Sequence, residues 1–82
     1  MKSETKPSFW RTYKALPAEV RLEARRVYRL WLSNPEANRL QFKPIQALPK
    51  VYSIRIGGSG HRALGLLQGD TVTWFWIGSH DE

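Results

Sequence analysis

Residues 50–78 read KVYSIRIGGSGHRALGLLQGDTVTWFWIG and contain three short runs with the composition of β-strands. Their side chains are mainly Val, Ile, Leu, Tyr, Thr, Phe and Trp, several of which are enriched in strands. The runs are Lys50–Ile56, Gly60–Leu67 and Thr71–Gly78, and short glycine-containing turns separate them. Consecutive strands joined by short turns pair antiparallel, about 4.8 Å apart. The stretch therefore predicts an antiparallel meander whose last strand, apolar on both faces, is central or covered on both sides.

The chain before this stretch has the periodicity of helices. Pro7–Leu16 predicts a short first helix, and Ala18–Ser33 predicts a longer second helix that starts directly after a proline. One face of the second helix is apolar at intervals of i, i+4, i+7, i+8 and i+11. The residues on this face are Val20, Ala24, Val27, Tyr28 and Trp31. Asn34–Pro35 ends the helix, because a residue that precedes proline disfavours the α conformation.

The order of these elements predicts the fold class. Glu36–Pro49 is irregular, with a short strand expected at Leu40–Lys43. Helix–helix–strand–strand–strand is the order of an α+β fold, here an N-terminal αα-hairpin packed on one face of a small antiparallel β-sheet. With 82 residues, the chain is expected to form a single domain over residues 1–82. The opposite face of the sheet is then left open for function.

The composition is basic and contains no cysteine. Thirteen Lys and Arg against seven Asp and Glu give a formal net charge of +6, which attracts polyanions or an acidic protein partner. Without cysteine, neither disulfides nor a Cys-based zinc site is expected, and no cluster of metal ligands or cofactor-binding motif occurs. The sequence contains no secretory signal and no apolar run of membrane-spanning length. A soluble protein of the cytoplasm is the expectation.

Three basic side chains lie in or just after the three strand-like runs: Arg55, Arg62 and His80. Strand alternation places Arg55 on a face with Val51 and Ser53, and Arg62 on a face with two leucines. An arginine among apolar neighbours needs an anionic or carbonyl partner. The second half of the chain has few carboxylates: Asp70, Asp81 and Glu82. A phosphate ligand and a structural ion pair with these acids are equally compatible with the spacing.

The other candidate residues are less specific. His80 follows the last strand, where an imidazole can reach a cleft and transfer protons, whereas His61 is expected to point to the opposite face and to pack there. Trp74 and Trp76 are expected in the core, with stacking on bases as the alternative. Arg25 and Arg29 share a helical stripe with Arg21. This stripe is either a solvated face or a surface that follows phosphates, and general electrostatics is the favoured interpretation.

The sequence from Tyr52 to Glu82 resembles the C-terminal half of toxins of the RelE/ParE superfamily, from bacterial type II toxin–antitoxin systems. The resemblance rests on Y-x-x-R-I-G, then His-Arg, then W-F-x-I-G-S-H, in that order. Upstream, LPAEVRLEARRVYRLWLSNP looks like the family's second helix and LQFKPI like its short linking strand. The resemblance extends over residues 8–82 and implies a first strand, at most short here, between Glu4 and Ser8.

The resemblance implies a ribosome-dependent, metal-independent endoribonuclease that cuts mRNA by attack of the 2′-hydroxyl on the adjacent phosphate. Arg62 lies where the family has its transition-state arginine, and Arg55 where members bind substrate. His80 corresponds to the histidine that protonates the leaving group in YoeB-like members. Lys43 stands near the position of their general-base glutamate, and many relatives continue beyond the position of Glu82. Arg25 and Arg29 are further candidates for substrate binding.

The resemblance also implies partners and leaves two other functions open. The expected partners are the ribosome, mRNA and an acidic, partly disordered antitoxin that forms a hetero-oligomer with the toxin. The first alternative is inhibition of DNA gyrase by binding, as in the ParE branch of the superfamily. The second alternative is a catalytically inactive relative that only binds its antitoxin.

Overall fold

The computed structural model describes residues 1–79, which form two helices and a five-stranded sheet. In chain order the elements are β1 (Lys2–Thr5), α1 (Pro7–Lys14), α2 (Ala18–Ser33), β2 (Lys43–Ile45), β3 (Leu48–Ile56), β4 (His61–Gln68) and β5 (Thr71–Ser79). Both helices pack against the same face of the sheet, α1 mainly on β5 and α2 mainly on β3. The predicted α+β class is confirmed, with the other face of the sheet left uncovered. Within residues 1–79, no helix is long and apolar enough to cross a membrane.

The sheet has the strand order β1-β5-β4-β3-β2. Strands β3, β4 and β5 form the antiparallel meander that the sequence predicts. Gly57 and Gly60 have positive φ angles of 55° and 79° in the turn between β3 and β4, a conformation that glycine adopts without steric cost. Strand β1 is short, as expected, but lies at Lys2–Thr5 rather than after Glu4, and it pairs parallel to β5.

Helix α2 begins and ends where the apolar periodicity predicts. Val20, Ala24, Val27 and Trp31 are buried on its inner face, whereas Tyr28 remains 41% exposed, contrary to expectation. The ring of Tyr28 stacks on Trp31 with centroids 6.1 Å apart and so lies beside the core rather than in it. Trp31 in turn makes edge contacts with Phe42 and Trp74 at centroid distances of 5.6 and 5.3 Å, which are favourable aromatic geometries.

A bulge in β5 decides which tryptophan belongs to the core. Leu64 pairs with Trp76 and Gly65 pairs with Trp74, so Phe75 is an extra residue that interrupts the alternation of the strand. Trp74 faces the helices and is 4% exposed. Trp76 instead lies opposite Leu64 on the uncovered face and is half-buried there. The prediction that both tryptophans lie in the core is correct for Trp74 and wrong for Trp76.

The segment after α2 differs from the predicted strand at Leu40–Lys43. Asn38–Leu40 form a 3₁₀ turn that buries Leu40 to 1% exposure, and Gln41 has a left-handed φ of 49°. Strand β2 therefore starts only at Lys43, where it pairs with Ser53 of β3. This shift brings Lys43 to the edge of the uncovered face.

Candidate functional site

Two arginines lie directly opposite each other on the uncovered face. Arg55 of β3 is the register partner of Arg62 of β4. Directly opposite residues have Cβ atoms about 4.5–5.5 Å apart, and like charges in that arrangement destabilise a sheet. The pairing therefore costs stability, and an anionic ligand between the two guanidinium groups would reverse that cost.

The two guanidinium groups have different surroundings. Nε of Arg55 donates a hydrogen bond to the backbone oxygen of Gly57 at 2.9 Å, which fixes the side chain at the start of the turn. Arg62 is half-buried and makes neither a hydrogen bond nor an ion pair within residues 1–79. A half-buried arginine without a partner is suited to receive a ligand anion.

Lys43 joins the arginines from the neighbouring strand, and the three residues line one cleft of about 450 Å³, here called the basic cleft. Nζ of Lys43 lies 3.5 Å from Oε1 of Gln41, its hydrogen-bond partner. The lining residues of the basic cleft are Gln41, Lys43, Ser53, Arg55, Gly57, Gly58, Gly60, His61 and Arg62. None of the carboxylates of residues 1–79 is among them. The basic cleft thus concentrates positive charge where a phosphate could bind.

His61 also lines the basic cleft, although the sequence predicts that it packs on the other face. Its Nδ1 lies 3.1 Å from the backbone oxygen of Ser59 and 3.2 Å from the hydroxyl oxygen of the same residue. A carbonyl oxygen only accepts, so the first contact is a hydrogen bond when Nδ1 carries the proton. In the neutral ring Nε2 is then an acceptor. The hydrogen bond to Ser59 in the turn explains the orientation, which strand alternation next to Arg62 did not predict.

His80, the predicted leaving-group acid, lies outside the described residues. The last described residue is Ser79, the register partner of His61 at the end of β5.

Arg25 and Arg29 lie elsewhere. They border a groove of about 560 Å³, here called the apolar groove, between α1, α2 and the covered face of the sheet. Nε of Arg25 donates a hydrogen bond to the hydroxyl of Tyr13 at 3.1 Å. The walls of the groove include Trp10 and Tyr28, which are 45% and 41% exposed. The structure therefore does not bring these two arginines together with Arg55 and Arg62.

The third arginine of the helical stripe has a structural position. Nη1 of Arg21 donates to the backbone oxygen of Leu16 at 2.9 Å, two residues after the end of α1, and lies 3.5 Å from the backbone oxygen of Lys14, the last residue of that helix. Carbonyl groups at the end of a helix lack partners within it, and a cation near them is favourable. Arg21 thus stabilises the connection between the helices.

The basic cleft offers a specific set of chemical groups. Three cations can stabilise negative charge that develops on a phosphate, and an imidazole can transfer a proton. Within residues 1–79, no group of three His, Asp or Glu side chains is placed to hold a metal ion.

No family model matches the sequence, and no curated protein is significantly similar to it. Similar solved structures exist nevertheless. The toxin–antitoxin complex RelB–RelE from Methanococcus jannaschii contains a chain with a TM-score of 0.77 and 18% identity, over 95% of this chain and 91% of that chain. The YoeB/ParE toxin from Agrobacterium tumefaciens has a TM-score of 0.73 and 20% identity, over 98% and 99%. This chain has the fold of RelE-like toxins.

A third structure agrees. A chain of the E. coli RelBE toxin–antitoxin complex matches with a TM-score of 0.72 and 16% identity, over 95% of this chain and 94% of that chain. The RelE-like fold expected from the sequence motifs is therefore confirmed over almost the whole chain.

Proposed function

We propose that this chain is the toxin of a type II toxin–antitoxin system in the RelE/ParE superfamily, and that it cleaves mRNA on the ribosome. The observation that carries the proposal is the like-charge pair of Arg55 and Arg62 beside Lys43, in a cleft to which residues 1–79 contribute no carboxylate. The RelE-like fold supports it independently. Cleavage of mRNA would stop translation, and ribosomes and mRNA place this activity in the cytoplasm.

The proposed reaction is an attack of the 2′-oxygen on the adjacent phosphorus. A new O–P bond forms, the bond from phosphorus to the 5′-oxygen breaks, and the products are a cyclic phosphate and a free 5′-hydroxyl. Arg62 stabilises the negative charge on the non-bridging oxygens, and Arg55, fixed by Gly57, binds the phosphate. His80 gives a proton to the leaving oxygen. A base must take the proton of the 2′-hydroxyl.

Two residues are candidates for that base. The sequence resemblance puts Lys43 near the position of the family's general-base glutamate, and a lysine would act as a base in its neutral form. His61 lines the same cleft, and its Nε2 makes no hydrogen bond within residues 1–79. Single-turnover cleavage by Lys43→Met and His61→Gln variants separates the two. The variant with the greater loss identifies the base.

Replacement of Arg62 tests the proposal. Loss of one preorganised donor to a developing oxyanion lowers a rate by about 10²–10³-fold. Arg62→Ala is therefore expected to abolish growth arrest on expression and to reduce ribosome-dependent mRNA cleavage by that factor. Arg11→Ala is the matched control, because Arg11 is an exposed arginine of α1 outside the basic cleft. Undiminished growth arrest by Arg62→Ala would contradict the catalytic assignment.

A supercoiling assay tests the alternative function, inhibition of DNA gyrase. Inhibition of DNA supercoiling by stoichiometric protein would favour that alternative.

We infer that the apolar groove receives the antitoxin. Exposed aromatic rings in its walls and Arg25 and Arg29 at its border suit an acidic segment with an apolar face. Two of the similar structures are complexes of RelE with RelB. Replacement of Trp10 and Tyr28 by serine should weaken binding of the antitoxin, measured by calorimetry, and leave mRNA cleavage by the free toxin intact. Antitoxin binding that is unchanged in this variant would place the partner on another surface.

A further inference from the structure

A second cleft adjoins the basic cleft around the turn between β3 and β4. It has a volume of about 360 Å³, and Arg26, Val27, Leu30, Arg39, Leu40, Arg55, Gly57 and Gly58 line it. The two clefts share Arg55, Gly57 and Gly58. A ligand bound in the basic cleft can therefore continue past the turn into the second cleft without leaving the protein surface.

The second cleft is as cationic as the first. Among the described residues, its charged lining consists of three arginines and includes no carboxylate. Arg39 makes no hydrogen bond or ion pair within residues 1–79. Arg26 contacts Oε1 of Glu23 at 3.4 Å, but the Arg26 side chain is 64% exposed. Such an exposed ion pair is weak, which leaves Arg26 available to a stronger anion.

The turn between the clefts presents bare backbone at Gly58, whereas the side chain of Glu23 lies against Gly57. A side chain at Gly58 would meet no atom within 4 Å, so the space above this residue is open. Gly57 cannot be replaced easily, because its φ is positive and a Cβ there would collide with the side chain of Glu23. Bare backbone allows an extended ligand to approach closely as it passes from one cleft to the other.

We propose that the second cleft binds the sugar–phosphate backbone of single-stranded RNA that flanks the scissile phosphate. Arg55 lies at the junction, and Arg26 and Arg39 each contact one phosphate beyond it. This inference rests on the proposed function, since it extends the site that would hold the scissile phosphate. It assigns Arg26 and Arg39 to RNA binding rather than to the chemical step.

The lining of the second cleft favours RNA over an acidic peptide. Two of its three apolar members offer little surface, since Val27 is 8% exposed and Leu40 is 1% exposed, and only Leu30 is half-buried. A peptide helix that docks in a groove needs accessible apolar anchors. The apolar groove has such anchors in Trp10 and Tyr28, whereas the second cleft offers guanidinium groups and backbone.

Salt-dependent binding of RNA of two lengths tests the inference. Fluorescence anisotropy is measured with oligouridylates of three and nine nucleotides, for the parent protein and for Arg26→Ala/Arg39→Ala. For single strands, each phosphate contact contributes about −0.7 to the slope of log K against log salt. The double variant should bind the longer RNA more weakly, with a slope smaller in magnitude by about 1.4, and bind the shorter RNA unchanged.

The matched control is Arg11→Ala/Lys14→Ala, which removes the same charge from exposed positions of α1 outside both clefts. It should keep the parent slope for both lengths. An equal decrease in the control would overturn the inference, because general electrostatics would then explain the effect. An unchanged slope in Arg26→Ala/Arg39→Ala would also overturn the inference. Polyglutamate, which represents an acidic peptide, is measured as a second ligand. If the double variant loses binding to polyglutamate but keeps its binding to RNA, the second cleft is a peptide site and the inference fails.

Failure of the inference and failure of the proposed function give different results. The binding measurement needs no ribosome and no cleavage. If mRNA cleavage depends on Arg62 but the salt slope does not depend on Arg26 and Arg39, only the second cleft is refuted. The opposite result is that mRNA cleavage depends neither on ribosomes nor on Arg62, while Arg26→Ala/Arg39→Ala loses the tighter binding of the longer RNA. In that case the second cleft is a nucleic-acid site and the proposed reaction is refuted.

Discussion

The basic cleft and the apolar groove lie on opposite faces of the same sheet and have similar volumes, about 450 and 560 Å³. None of the described residues lines both of them. The same short stretches of chain supply both, because strand side chains alternate between faces. Ile54 and Ile56 form part of the floor of the groove, and Arg55 between them lines the cleft. Three consecutive residues of one strand therefore contribute both to an apolar docking surface on one face of the sheet and to a cationic site on the other face.

The largest expected effect comes from replacing the neighbours Ile56 and Arg55. Ile56 is 2% exposed in the core, so Ile56→Ala should lower the free energy of unfolding by about 2–5 kcal/mol. Arg55→Ala should change it by about 0.5 kcal/mol or less, because it removes an exposed residue and relieves a like-charge pair. Urea denaturation measures both values. The effects on RNA affinity should be in the reverse order, with a larger loss in Arg55→Ala than in Ile56→Ala. This affinity is measured under conditions in which Ile56→Ala is still folded. A large loss of stability in Arg55→Ala would show that Arg55 also stabilises the fold and would contradict this contrast between the two faces.

A smaller contrast is expected between Gly65 and Gly78. A Cβ at Gly65 would lie 2.5 Å from Cγ1 of Val72 and 2.8 Å from Cε3 of Trp74, both buried against the helices. Gly65→Ala should therefore cost about 1–3 kcal/mol through overpacking. At Gly78 the nearest atom is Cζ2 of Trp76, at 2.6 Å. This ring is half-buried on the uncovered face and can turn aside, so Gly78→Ala should cost less. Thermal unfolding of both variants measures the two losses of stability. Equal losses would mean that the two faces of the sheet are equally rigid and would contradict the prediction.

The smallest expected effect concerns Glu23, which contacts Arg26 beside the turn between β3 and β4. Glu23→Gln removes an exposed i, i+3 ion pair and should change stability by only about 0.2–0.5 kcal/mol. The same substitution removes a negative charge next to the second cleft. Binding of a nine-nucleotide RNA should become tighter, whereas binding to the apolar groove should not change. Weaker RNA binding in Glu23→Gln would indicate that Glu23 positions Arg26.

The elements with long, regular patterns were predictable from the sequence. The apolar residues of α2 repeat over about three turns, and the predicted bounds Ala18–Ser33 are those observed. The meander was predictable because turns of glycine and polar residues separate three β-rich runs. Strand alternation predicted the strand neighbours of Arg55 and Arg62, whereas the structure shows that the two residues are register partners.

The missed features depend on single residues that have no periodic signal. The extra residue Phe75 moves Trp76 to the uncovered face, and burial of Leu40 delays the start of β2 to Lys43. A hydrogen bond to Ser59 holds the ring of His61 at the basic cleft. The pattern of Arg25 and Arg29 on α2 did not reveal which side of the sheet they border. These outcomes follow from tertiary packing, which a local pattern does not encode.

The attachment of β1 and α1 to β5 has a consequence for the order of folding during synthesis. Lys2–Thr5 pair with Thr71–Trp74, and the hydroxyl groups of Ser8 and Thr12 bond to the backbone of β5 at Phe75 and Ile77. Contacts so distant along the chain form late, because the loop that they close is long. The N-terminal segment has no strand to pair with until β5 has left the ribosome. On this account the nascent protein completes its five-stranded sheet only after β5 has left the ribosome, whereas the local pairing of β3 with β4 needs no later part of the chain.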